Sequence, residues 1–124
     1  MMGRLAATVA LSVALFTSFA NGEAAKKGPN GGILIVTPQG HPVEFTNNGL
    51  EIAFYVDDDD GTPFPAKNLV RGRATVQDGG KTTTVTLSSA PPNKMVGKLQ
   101  AHLTPKARIV VSIGLFWTKA INIL

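Results

Sequence analysis

The sequence predicts an all-β protein, a single antiparallel β-sandwich of immunoglobulin-like type with seven to eight strands, and three observations predict it. From residue 33 on, short runs rich in β-branched residues alternate apolar and polar side chains, and Gly, Pro, Asn or Asp interrupt them about every ten residues. No stretch of this region carries the 3.6-residue periodicity of a helix. The region is also close to the size of such a domain, roughly 100 residues. The cysteine and tryptophan hallmarks of antibody domains are missing, so the prediction concerns architecture rather than strand order. A barrel is the alternative.

The chain has 124 residues, 44% of them apolar and 16% charged, and its formal charge is +4. Its first segment differs from the rest. Arg4 is followed by 15 mostly apolar residues, 5–19, and then by small residues at Ala20 and Gly22, the order of a secretory signal peptide. As a helix the apolar stretch would reach only about 22 Å, short of the hydrocarbon core of about 30 Å, so a permanent membrane anchor is the weaker reading. The small-residue rule fits a cut after Ala20 or after Gly22, with the second slightly favoured. Removing residues 1–22 takes away one cation and leaves a mature chain of 102 residues with charge +3. Residues 23–32 then read as a flexible lead-in, and residues 33–124 as the sandwich domain.

Within the domain, residues 33–37 form a continuous apolar strand, Pro38 to Gly40 turn the chain, and residues 42–46 form a second strand. Asn47-Asn48-Gly49 is a strong hairpin signal. Residues 50–56 place Leu50, Ile52, Phe54 and Val56 on one face, so the even positions point inward. Four consecutive aspartates, 57–60, and two prolines make residues 57–65 a long connection. Residues 69–77 resume the alternation with Val70, Gly72, Ala74 and Val76 inward. Asp78-Gly79-Gly80 turns the chain onto residues 81–87, where Thr83, Val85 and Leu87 face the core. After Pro91-Pro92-Asn93, residues 94–103 put Met95, Gly97, Leu99, Ala101 and Leu103 on the inner face. Residues 107–115 and 118–124 make a closing pair around Phe116-Trp117.

The chemistry on offer is sparse. With no cysteine there is no thiolate site, cysteine nucleophile or disulfide staple. The only histidines are His41 and His102, and neither has a helical metal-ligand partner. A site for a soft metal would draw on His41, His102 and Met95, since imidazole and thioether suit copper in a compartment without thiols. The bland reading makes Met95 a core residue and His102 a solvated one. The aspartate run lacks the spacing of a calcium loop, because the first ligand position falls on Val56, and it reads as a solvated acidic turn. Ser88, Ser89 and Ser112 sit in no nucleophile elbow, so the expectation is that the protein is not an enzyme. Residues 28–32, G-P-N-G-G, are not followed by the Lys-Ser/Thr of a phosphate loop. The cations are scattered rather than gathered in a patch with aromatics, so no nucleic-acid partner is expected.

Taken together, G-P-N-G-G at residues 28–32, His41-Pro42-Val43-Glu44, the strand at residues 50–56, the D-x-x-G-x-P turn and the hairpin at residues 74–81 resemble a group of small exported bacterial proteins. Those proteins carry a signal peptide and one β-sandwich that opens with H-G-P-N-G-G and H-x-V-E. They are similar to the N-terminal β-rich segment of some adaptor subunits of heavy-metal efflux pumps. His41 and Glu44 match the H-x-V-E pair, while Lys27 stands where the first histidine of the group's opening run is found. The resemblance implies export and the sandwich fold. It also implies metal handling, with His41 as first ligand and Glu44, Met95 or His102 as helpers for copper or zinc.

The expectation is therefore a non-enzymatic periplasmic binding or accessory module of the bacterial envelope, presenting strand edges or loops to a protein partner. The alternative is a weak copper- or zinc-binding accessory protein associated with heavy-metal efflux. No stable membrane anchor is expected after cleavage. Strand addition is expected at the edge formed by residues 33–37.

Overall fold

The computed structural model of the chain describes residues 2–16 and 26–122. The two cleavage positions, after Ala20 or Gly22, and the start of the lead-in lie outside the described residues. The strands are β1 (Met2–Phe16), β2 (Ile33–Val36), β3 (Pro42–Asn48), β4 (Glu51–Val56), β5 (Leu69–Asp78), β6 (Lys81–Thr86), β7 (Ser88–Ala90), β8 (Lys94–Lys98) and β9 (Arg108–Asn122). Eight of them lie within residues 33–122, in line with the seven to eight expected. They form two antiparallel sheets, ordered β1-β9-β5-β6 and β2-β3-β4-β8-β7, and their inner faces pack together as a β-sandwich. The segment expected to be a leader lies antiparallel along β9, in register from Met2↔Asn122 to Phe16↔Arg108.

The core follows from the period-2 pattern. Val43 and Phe45 of β3, Ile52, Phe54 and Val56 of β4, and Met95 of β8 meet Ala74, Val76, Val85 and the inner face of β9. Phe45 and Phe54 are cross-strand partners whose ring centroids lie 5.3 Å apart. The β5–β6 hairpin closes on Asp78↔Lys81, so Gly79 and Gly80 are its two central residues. Their φ angles of 60° and 79° are those of a tight turn matched to strand twist, and glycine adopts them without steric penalty.

Four sequence expectations are corrected. The first concerns the inward set of β5, where a bulge between Val70 and Arg73 shifts the register and Arg71 takes a left-handed φ of 53°. Leu69 is therefore buried and Val70 only half-buried, the reverse of a uniform alternation. Second, β8 ends at Lys98 and residues 99–107 cross back to the other sheet as a loop, leaving Ala101 exposed. Third, β9 runs through Phe116-Trp117 as one strand of 15 residues, because this aromatic pair favours extended backbone and no Gly, Pro or Asn is there to turn it. Fourth, the strand expected over residues 81–87 ends at Thr86, and residues 88–90, to which the sequence reading gives no strand, form the short β7 where the chain changes sheet and the Leu87 N–H donates to the bulge carbonyl of Gly72.

Because Arg71 is held in a conformation that suits glycine, Arg71→Gly is expected to raise stability by up to about 1 kcal/mol. Arg73→Gly, in regular strand, is expected to lower it. Urea unfolding midpoints check both signs.

Candidate functional site

One end of the sandwich gathers most of the polar side chains that the sequence singles out. Four segments meet there: the lead-in at residues 28–32, the turn at residues 37–41, the connection at residues 57–65 and Asn93. β3 sets the geometry. Val43 and Phe45 point into the core, so Glu44 lies on the outer face of its sheet, in one cross-strand row with Leu34, Tyr55 and Lys94. Glu44 is nevertheless only 3% exposed, because the lead-in folds over it.

The cover is specific. The backbone N–H groups of Asn30 and Gly32 donate to Glu44 Oε2 at 2.9 and 2.8 Å, and Asn30 Nδ2 donates to Oε1 at 2.9 Å. The glycine-rich run thus cradles an anion, and the anion is the chain's own carboxylate. Glycine is required by close approach, since a Cβ at residue 28 would strike the Glu44 carboxyl and one at residue 32 would strike the Phe45 carbonyl. Glu44 is a structural anchor whose two oxygens already accept three hydrogen bonds, which weakens the case for it as a metal ligand.

His41 sits at the mouth of the same end and is 8% exposed. Its N–H donates to Thr37 Oγ1 at 3.1 Å, and the Thr37 N–H donates back to the His41 carbonyl at 3.0 Å. Its Nδ1 lies 2.9 Å from the Asp57 carbonyl oxygen, and a carbonyl only accepts, so Nδ1 carries a hydrogen. The ring packs edge-on against Phe64 at 6.0 Å, and Nδ1 is 4.0 Å from Asp58 Oδ1. The aspartate therefore faces the hydrogen-bearing side of the imidazole.

Asp57 and Asn93 complete the cluster. Asn93, 6% exposed, donates through Nδ2 to the Val56 carbonyl at 2.9 Å and to Asp57 Oδ1 at 3.2 Å. Asp57 and Glu44 share the wall of a cavity of about 270 Å³. Desolvation raises the Asp57 pKa, the negative charge of Glu44 raises it further, and the Asn93 hydrogen bond offsets part of the rise. The carboxylate oxygens of Asp58, Asp59 and Asp60 come within 4.8 Å of one another. Two of them are engaged locally: Asp58 Oδ1 accepts the Asp59 N–H at 2.8 Å, and Asp60 Oδ1 accepts from Thr62 N and Oγ1.

The other predicted ligands lie elsewhere. Met95 is 2% exposed in the core, and His102 is an exposed residue beside a different cavity, under the β5–β6 hairpin with Leu99 and Leu103. His41, Glu44, Met95 and His102 are not assembled into one coordination sphere. Asn93 and Asp57 are the residues that sequence reasoning missed, because Asn93 follows two prolines and reads as a strand breaker while Asp57 reads as one of four solvated charges.

Glu44→Ala is expected to destabilise the protein by about 2–4 kcal/mol, since three donors lose their acceptor. Glu44→Gln is expected to fall between, because its amide NH₂ would confront a donor. Urea unfolding and hydrogen exchange at the Gly32 amide read both. For Asp57, a folded-state pKa above the unfolded value means that the folded protein binds more protons through the carboxylate range, so stability falls as pH rises through it. Asp57→Asn keeps the acceptor for Asn93 and is expected to raise the melting temperature at pH 7, with the gain gone below about pH 3. No family model matches the chain, and the searches of curated proteins and of solved structures likewise found no match.

Proposed function

We propose that this protein is a non-enzymatic accessory module of the bacterial envelope, exported by residues 1–22 and working by strand addition to a protein partner. The observation that carries this reading is the outer edge of β9, which accepts an antiparallel strand over its full 15-residue length. The expected site at residues 33–37 is a poorer edge than it looks in sequence. The Leu34 N–H donates to the Lys26 carbonyl at 2.8 Å and Lys27 bridges Ile33, so the lead-in already covers it. The placement of the imidazoles supports the non-enzymatic part, since His41 is packed against Phe64 with Nδ1 committed to a carbonyl and His102 lies apart on the surface.

A photo-crosslinking amino acid at Val110, in the exported protein within intact cells, is expected to give protein adducts. The same group at Thr84 of β6 is expected to give none. Equal yields at the two positions would sink the edge assignment.

A second reading, weak copper or zinc binding in support of metal efflux, is favoured by one feature. Metal-ligating histidines donate their other ring N–H to a carbonyl or carboxylate, and His41 does so to Asp57. Titration with zinc, copper(II) and copper(I) is expected, on that reading, to show saturable binding that His41→Ala weakens by about tenfold or more and that Met95→Leu and His102→Ala leave in place. Unchanged affinity in His41→Ala ends it.

A further inference from the structure

We infer that the strand taken up by β9 is β9 of a second copy, so that the mature protein is a two-fold dimer whose sheets join as β6-β5-β9-β9′-β5′-β6′. The inference rests on the proposed removal of the leader and names the partner of the proposed edge.

Sheet edges invite uncontrolled pairing, and the remaining edges of this sandwich are guarded. β2 is covered by Lys26 and Lys27. β6 begins with Lys81 and alternates threonines on its solvent side, with Thr82, Thr84 and Thr86 exposed. β7 is three residues long. β9 has no such device: between Ile109 and Trp117 it has neither charge nor proline, and β1 alone lies along its outer edge. Its end is also an overhang. The last pairing to β5 is Leu69↔Leu115, so, among the described residues, 116–122 have β1 as their only neighbouring strand.

The side chains on the solvent face identify the occupant. Among the described residues the exposed large hydrophobics are Val36, Val110 and Phe116, at 65%, 45% and 38%. Two of the three lie on β9, on the same face, three residues to either side of Ile113. A two-fold axis at Ile113 places Val110 of each copy opposite Phe116 of the other, twice over, and keeps Ile109, Val111, Ile113 and Leu115 on the core side because the register sum is even. An isologous interface needs such self-complementarity, whereas a strand from an unrelated protein does not. Phe116 and its two successors, which overhang β5, then gain partners at residues 110, 109 and 108 of the second copy.

The test uses the full chain, exported by a bacterial host and purified from the periplasm, with intact mass fixing its N-terminus. Sedimentation is expected to give twice the monomer mass, and Val110→Lys with Phe116→Lys to weaken the dimer by about tenfold or more through like charges and lost apolar contact. Val36→Lys is the control and is expected to leave the dimer intact. Because the charged variants could fail to fold, register is read separately. The chain has no cysteine, and the double variant Val110→Cys with Phe116→Cys is expected to form intermolecular disulfides. Either single variant is expected to form none, since each position lies six residues from its own mate across the axis. A monomer at all concentrations, a retained leader, or single variants that crosslink as well as the double would overturn the dimer. Adducts from Val110 to a different protein, with no self-adduct, would overturn the dimer and leave strand addition standing; no adduct of any kind would remove both.

Discussion

The inner face of β9 is the constraint on which the rest of the structure depends. Ile109, Val111, Ile113 and Leu115 are at 0–1% exposure, and strands from both sheets pack around them. In a chain without disulfides this burial is the main source of stability, at about 25 cal/mol for each Å² of apolar surface removed from water. It also fixes parity. A slip of one residue would turn four core side chains to solvent, so the positions left outside, Val110 and Phe116 among them, are determined by those held inside. The surface of the strand is a consequence of its core.

The same logic explains Glu44. Its neighbours Val43 and Phe45 are claimed by the core, which sends the carboxylate to the outer face, where an uncovered charge would remain hydrated. The lead-in removes that water and replaces it with two backbone N–H groups and one side-chain amide. G-P-N-G-G and the glutamate of H-x-V-E are therefore halves of one device, and the two short motifs are physically coupled. His41 belongs to an adjoining arrangement, in which its backbone closes the turn onto Thr37 and its ring holds the start of the acidic connection.

Much of this was legible in the residues. The alternation at residues 50–56 and 81–87 marks buried faces directly, because strand geometry maps sequence parity onto side-chain direction. The hairpin at Gly79-Gly80 was legible for the same local reason. The bulge at Arg71 was not, since nothing in an arginine announces a left-handed φ; it arises where β5 pairs with β9 and Leu87 hydrogen-bonds to Gly72. The continuity of β9 through Phe116-Trp117 was equally hidden, because an aromatic pair is compatible with a strand and with a hairpin flank alike. At the site, His41 and Glu44 were found by residue type, but their roles are set by Asp57 and Asn30, at sequence separations of 16 and 14 residues, and Asp57 is in turn held by Asn93, 36 residues away. Long-range hydrogen bonding leaves no periodic signal.

The two carboxylates on one cavity wall show how a polar end is kept structural. Glu44 is buried with three donors, while Asp57 has one side-chain donor and feels both desolvation and its neighbour's charge. A cation entering that cavity would relieve Asp57, but it would compete with the three donors that already satisfy Glu44 and hold the lead-in down. Metal binding through Glu44 would therefore unfasten residues 28–32 and uncover the edge of β2. Binding at Nε2 of His41 carries no such penalty, because the hydrogen bond from Nδ1 to Asp57 would be kept. On the metal-binding reading, His41 with the neighbouring aspartates would therefore be the less disruptive donor set. On the proposed reading, strand addition at β9, which lies in the other sheet, would act independently of it.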